Sequence, residues 1–176
     1  MSVALGAEAP PFELPAVDGQ SHSLDSYAGY EVLVLVQSCN HCPYVQAWEG
    51  RLSAIAVDYA DRGVRVVAVN SNDADSYPED SFEEMQKRSR ERGFAFDYLY
   101  DEPQAVARAL ASERTPEVFV YDRDRRLRYH GAIDDSRDET AVSQQYLRDA
   151  LDALLAGHDP PVAETPPVGC TMKWRG

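Results

Sequence analysis

A chain of 176 residues with 44% hydrophobic content can build one domain with a substantial core, and no apolar run approaches the roughly 20 residues that span a bilayer. The formal net charge of −13 argues against nucleic acid and anionic membranes as partners, because both select basic surfaces. Three cysteines cannot all pair within one molecule, which excludes a small secreted disulfide scaffold.

The first eight residues hold neither a basic stretch nor a sustained apolar one, so no signal peptide is expected and the cytosol is the expected compartment. Residues 9–20, rich in proline and closing on Asp18-Gly19, predict a short extended or hairpin segment and a turn. Residues 31–37 form a continuous apolar run of strand length, as expected of a central strand covered on both faces. Val45, Trp48, Leu52, Ile55, Ala56 and Tyr59 then recur at helical spacing, and Gly63 supplies a stop. A second buried strand is predicted at 64–70. Ser81-Phe82-Glu83-Glu84 fits a capping box opening a charged helix that ends near Gly93, and residues 101–111 predict a further short helix.

Residues 117–121 and 127–131 flank the polar turn 122–126 and predict an antiparallel hairpin. Val142, Tyr146, Leu147, Ala150, Leu151, Leu154 and Leu155 mark one face of a last amphipathic helix. From residue 157 the chain carries Pro160, Pro161, Pro166 and Pro167, which predicts an extended tail, 157–176, laid over the domain. No repeat or linker divides residues 1–176, so a single domain is expected. Strand–helix alternation followed by a hairpin predicts an α/β fold with a central mixed sheet flanked by helices.

Cys39-Asn40-His41-Cys42 is the most informative segment. Residues three apart on a first helical turn are neighbours, so Cys39 and Cys42 can form a redox-active disulfide. Following a buried strand, Cys39 is expected at a helix N-terminus, where free N–H groups and the dipole favour a thiolate by about 0.3–1 kcal/mol. His41 is expected to assist, leaving Cys39 as attacking nucleophile and Cys42 as resolving thiol. Pro43 suits the first turn. A zinc site from Cys39, His41, Cys42 and Cys170 is disfavoured, because adjacent His41 and Cys42 are awkward ligands and no second CxxC or HxxxH follows. No metal or cofactor is therefore expected.

These residues, together with Gly6-Ala7-Glu8-Ala9-Pro10, Asn70-Ser71-Asn72-Asp73, Tyr77-Pro78-Glu79-Asp80-Ser81-Phe82, Thr115-Pro116 and Pro167-Val168-Gly169-Cys170, resemble the thioredoxin-like branch of the AhpC/TSA (redoxin) superfamily, which includes TlpA-like proteins. The resemblance implies a thioredoxin-like fold with Pro116 in cis facing the CxxC, and Thr115 offering its backbone to an extended partner. It also implies antioxidant thiol chemistry on protein or small-molecule thiols and disulfides, fed by a thioredoxin-type electron donor. Three positions depart from that pattern: Leu33 stands where thioredoxin keeps a buried acid, Ser38 where a tryptophan precedes the CxxC, and Arg114 where relatives carry a cysteine. The acceptor of the resolving thiol's proton is thus left unnamed, and Arg114 is expected to favour a thiolate or an acidic partner.

Thiol–disulfide exchange is the leading function. A thiol peroxidase is the alternative, although the P-x-x-x-[T/S]-x-x-C pattern aligned on Cys42 meets Leu35 and Cys39 at its proline and hydroxyl positions. A redox-sensing interaction module is the third class. Asn72 and Asp73, after a parallel strand, should lie at the CxxC end of the sheet, along with Asn40. Cys170 has two readings, a buried packing residue or an accessory thiol that exchanges with the pair. His22, His130 and His158 read as structural or surface residues.

Overall fold

The computed structural model describes residues 3–176. A short hairpin, β1 (Glu13–Pro15) and β2 (Ser21–Ser23), precedes β3 (Val32–Ser38), α1 (Pro43–Tyr59), β4 (Val64–Asn70) and α2 (Phe82–Arg92). There follow β5 (Asp97–Tyr100), α3 (Ala105–Ala109), β6 (Arg114–Thr115), β7 (Glu117–Tyr121), β8 (Leu127–Gly131), α4 (Tyr146–Leu155) and β9 (Cys170–Thr171).

The central sheet has the order β5-β4-β3-β7-β8. β3, β4 and β5 run parallel; β7 pairs antiparallel with the other side of β3, and β8 pairs antiparallel with β7 at the edge. Every residue of β3 is buried. Because side chains alternate along a strand, Val32, Val34 and Val36 join Trp48, Ile55, Leu147 and Leu151 on one face. Leu33 and Leu35 join Leu14, Tyr27, Val106 and Leu110 on the other. Burying each such aliphatic side chain contributes about 1.5–3 kcal/mol, so the central run holds both layers to one sheet.

β5 was not among the expected strands. Its four residues are too short to show periodicity, and it is fixed by pairing with β4, Val67 opposite Asp97 through Asn70 opposite Tyr100. Ser81 caps α2 as expected, its Oγ accepting from the Glu84 N–H at 3.2 Å. The helix expected over 101–111 is shorter because the Asp101 carboxylate accepts the N–H groups of Ala105, Val106 and Ala107, acting as the stop ahead of α3. α4 likewise starts at Tyr146, after a 3-10 turn at Glu139–Ala141. No helix among the described residues is long and apolar enough to cross a membrane.

The tail returns across the domain. Thr165 and Ala163 exchange backbone hydrogen bonds with His130, and β9 then pairs antiparallel with β6, Arg114 opposite Thr171 and Thr115 opposite Cys170.

Candidate active site

β3 delivers the chain to residues 39–42, which cross the end of the sheet before α1 begins. Cys42 is the N-cap of α1, with extended backbone at φ −72°, ψ 125°, the conformation that a following proline imposes. Pro43 opens the helix where its missing N–H sacrifices nothing. The positive end of the helix therefore lies at Cys42, and Cys39 is in the preceding loop rather than on the first turn.

Cys42 is bonded to Cys170, 128 residues away, with Cα atoms 6.2 Å apart. The disulfide formed here is thus not the Cys39–Cys42 one expected, and Cys39 is the free thiol. The reason is the strand pairing: β9 sets Cys170 directly opposite Thr115, whose carbonyl oxygen is 3.4 Å from Cys42 Sγ. The packing-only reading of Cys170 is thereby corrected.

Cys39, only 2% exposed, packs with Cys42, Val45 and Cys170 in one small cluster, its Sγ 3.6 Å from Thr115 Oγ1. Burial, and after it the negative charge of Asp80, push the Cys39 thiol up to about 12; the Thr115 hydroxyl and the backbone of Cys42 and His41 pull the other way and lose. In this form of the site, burial outweighs the activation expected for Cys39.

Asp80 is fully buried and organises the loop. Its Oδ1 accepts the backbone N–H groups of Asn40 at 2.8 Å and His41 at 3.2 Å. Its Oδ2 takes the Asn72 amide at 2.9 Å and lies 2.5 Å from His41 Nδ1. The His41 ring thus turns to Asp80 instead of the thiol, and stacks on Tyr77 with centroids 5.6 Å apart. Asn40 is held in turn: Tyr98 donates to its Oδ1 and Gln46 to its carbonyl, while its amide donates to the Glu79 carbonyl.

Cys39, His41 and Asp80 place a sulfur, a ring nitrogen and a carboxylate oxygen within 4.8 Å of one another, a geometry able to surround a cation. Asp80, however, already spends both oxygens on four donors. The cluster is better described as an acid–base network beside a buried sulfur.

The Thr115–Pro116 bond is cis. The exposed Arg114 side chain donates to the Gly169 carbonyl, next to Cys170, at 3.5 Å. Glu117, 1% exposed, shapes the turn into Thr115 by accepting the N–H groups of Glu113 and Arg114 on Oε1 and pairing Oε2 with His130 Nε2 at 2.6 Å. His130 is therefore a buried partner of this turn. Glu117→Gln, which keeps one acceptor and loses the charge, should lower stability by about 2 kcal/mol, visible as a lower urea midpoint at unchanged slope. A change below about 0.5 kcal/mol would show that the carboxylate does not set the turn.

Residues 5–130, which hold the central strand, the two cysteines that follow it and the cis-proline, match the sequence profile of the AhpC/TSA family. The chain belongs to the AhpC/TSA family. The fold of this AhpC/TSA chain is thioredoxin-like. It is 26% identical over 129 residues to the thiol-disulfide oxidoreductase ResA of Geobacillus thermodenitrificans, covering 72% of this chain and 68% of that protein. A solved structure of a hypothetical protein from Sinorhizobium meliloti 1021 superposes with TM-score 0.94 at 39% identity, covering 100% of this chain and 97% of that one. An uncharacterized conserved protein from Geobacillus kaustophilus gives TM-score 0.93 at 44% identity, covering 98% and 93%.

The family profile stops at residue 130, whereas the site of this AhpC/TSA chain is closed by residues 169–175. Asp80 and Glu117 were not among the candidate residues. Asp80 lay inside the Tyr77-to-Phe82 segment that carried the resemblance, and a carboxylate there between a proline and a helix cap was the available signal.

Proposed function

We propose that the chain is a thiol–disulfide oxidoreductase acting on protein or small-molecule disulfides, with Cys42 as the exchanging sulfur and Cys39 as the resolving thiol. The observation that carries this reading is the Cys42–Cys170 bond, made across β6 at the helix N-terminus while the free Cys39 packs against it. We assign the exchanging role to Cys42 because it stands at the helix N-terminus, which favours a thiolate, whereas Cys39 lies in the preceding loop; both are buried, Cys42 at 0% and Cys39 at 2% exposure, so the tail that covers them must release before exchange.

The cycle balances as follows. An external dithiol, for which a thioredoxin-type donor is suited, reduces the Cys42–Cys170 disulfide by two electrons and leaves oxidised. The Cys42 thiolate then attacks a substrate disulfide; a Cys42–substrate bond forms, and one substrate sulfur leaves with the electron pair and takes a proton. Cys39 gives up its proton, attacks Cys42 Sγ and displaces the second substrate sulfur, which leaves with the electron pair and takes a proton; a second external dithiol then reduces the Cys39–Cys42 bond by two electrons, leaves oxidised and restores the Cys42 thiolate. His41 and Asp80 are the acid–base groups beside Cys39 and are suited to receive the proton that Cys39 gives up.

Dithiothreitol-driven reduction of insulin, run beside hydrogen peroxide consumption, tests this. Cys42→Ser should lose activity by about 100-fold or more, and Cys39→Ser combined with Cys170→Ser, which removes both sulfurs able to displace a substrate from Cys42, should stall as a covalent adduct seen by mass spectrometry. An adduct on Cys42→Ser combined with Cys170→Ser, but none on that first pair, would invert the roles. Rapid cysteine-dependent peroxide loss without insulin reduction would establish the peroxidase instead.

A further inference from the structure

The edge of β6, the place where an extended partner would pair, is occupied by the chain itself. Residues 169–175 lie along it as a ligand would. Thr115 and Arg114 pair with Cys170 and Thr171, and the Met172 N–H donates to the Glu113 carbonyl at 3.0 Å. Further on, Asn72 Oδ1 accepts the Lys173 N–H at 3.0 Å, the Asp73 N–H donates to the Lys173 carbonyl at 2.9 Å, and the Gln104 amide donates to the same carbonyl at 3.0 Å. Nearly all of these bonds engage the backbone of the tail, which is how a strand of varying sequence is recognised.

Two side-chain positions are selective. At Gly169 a Cβ would sit 2.1 Å from the Thr115 carbonyl oxygen, a backbone atom that cannot move aside, so only glycine fits before the bonded cysteine. Two residues after that cysteine, Met172 is buried at 5% exposure, while Thr171 between them is exposed.

An extended partner beside the cis-proline is what the family resemblance implies; we propose that residues 169–172 are the internal copy of that partner, so that the protein partners of this chain present the exchanging cysteine in an extended Gly-Cys-x-Met-like segment held by β6 with Asn72, Asp73 and Gln104. This rests on the oxidoreductase reading and names its substrate class. The tail leaves by an isomerisation that needs no outside oxidant. Cys39 gives up a proton and its sulfur bonds to Cys42, the Cys42–Cys170 bond breaks, and Cys170 receives the electron pair and the proton. One disulfide and one thiol are present before and after; the external dithiol of the proposed cycle then reduces the Cys39–Cys42 bond and leaves oxidised, and the Cys42 thiolate meets the partner's disulfide in the open groove.

The test uses the full chain carrying Cys39→Ser, Gly169→Ala and Cys170→Ser, which leaves Cys42 as its single thiol and the groove vacant. The probe is a synthetic peptide of residues 167–176 with its cysteine activated as a thionitrobenzoate disulfide. Cys42 attacks the peptide sulfur and coloured thionitrobenzoate leaves, so the rate is read directly. The native peptide should couple about tenfold faster than peptides with alanine for the glycine or serine for the methionine. Equal rates, within about twofold, would overturn the selectivity. Should the triple variant lack a cooperative thermal transition, disulfide mapping of the single variant Gly169→Ala decides. Cys39–Cys42 in place of Cys42–Cys170 supports the groove, and persistence of Cys42–Cys170 overturns it. Insulin reduction by the natural chain separates the two readings: activity with equal peptide rates defeats only the groove, and inactivity defeats the oxidoreductase.

Discussion

Asp80→Ala should destabilise the folded protein by about 3–5 kcal/mol, and Asp80→Asn should bring the Cys39 thiol down from about 12. The first effect follows from the donors that Asp80 satisfies while fully buried: two backbone N–H groups, the Asn72 amide and the His41 ring. Each buried donor left without a partner costs about 1–3 kcal/mol, and the half-buried His41 can recover part of that loss from water. Asparagine keeps an acceptor oxygen and the shape of the loop, so its effect is chiefly electrostatic. It removes the second cause of the raised thiol and leaves the first, burial, in place. The Cys39 value should therefore fall but stay above that of a free thiol.

The consequence for stability has a definite sign. An unfolded cysteine titrates near 8.5, so between roughly pH 8.5 and 12 the unfolded chain loses a proton that folded Cys39 retains. Stability contributed by this group is complete below that window and is lost as pH rises through it, and Asp80→Asn should narrow the window from its upper end. Denaturation at pH 7, 9 and 10.5, with pH-dependent alkylation of Cys39, measures both effects. An alkylation profile identical in Asp80→Asn and the natural chain would remove the electrostatic role of Asp80.

Much of the fold was legible because the strongest signals are local and periodic. The apolar runs at 31–37 and 64–70 and the helical spacing from Val45 to Tyr59 report burial on a face, which is what a layered sheet demands. β5 was not legible, since four residues carry no usable period and their conformation is imposed by β4. At the site, the cysteines, Thr115, Pro116, Asn72 and Asp73 could be named from the chain, but their pairing could not. Whether Cys42 bonds Cys39 or Cys170 depends on where a tail 128 residues away is laid, and that is set by backbone pairing with Arg114 and Thr115. The displaced helix start has an equally specific source. Proline at 43 moved the helix start from the first cysteine to the second, and the dipole argument moved with it. Asp80 escaped notice because its work is done on residues 39 to 41 and 72, none of them its neighbours in sequence.

Reducing the Cys42–Cys170 bond, or removing it with Cys170→Ser, should lower stability by about 3–5 kcal/mol. The bond closes a loop of 128 residues, and cross-links of that span limit the unfolded ensemble by roughly 4–5 kcal/mol in the chain-entropy account. Part of the docking survives without the bond, because the β6–β9 pairing and the contacts of Lys173 hold the strand in place, so the loss should not exceed that entropy. Folding and oxidation are linked: a disulfide that stabilises the fold is itself stabilised by the fold to the same degree. For a two-electron couple a stabilisation of about 4 kcal/mol corresponds to roughly 90 mV, which makes this bond harder to reduce in the folded protein than in the unfolded chain. Parallel urea titrations of the oxidised protein, the reduced protein and Cys170→Ser measure the stability, and a glutathione titration of the native and urea-unfolded chain measures the potential. The two differences must agree, since they close one thermodynamic cycle. A stability loss under about 1 kcal/mol would mean that the tail is held by its strand pairing alone, with the sulfur bond serving exchange and not the fold.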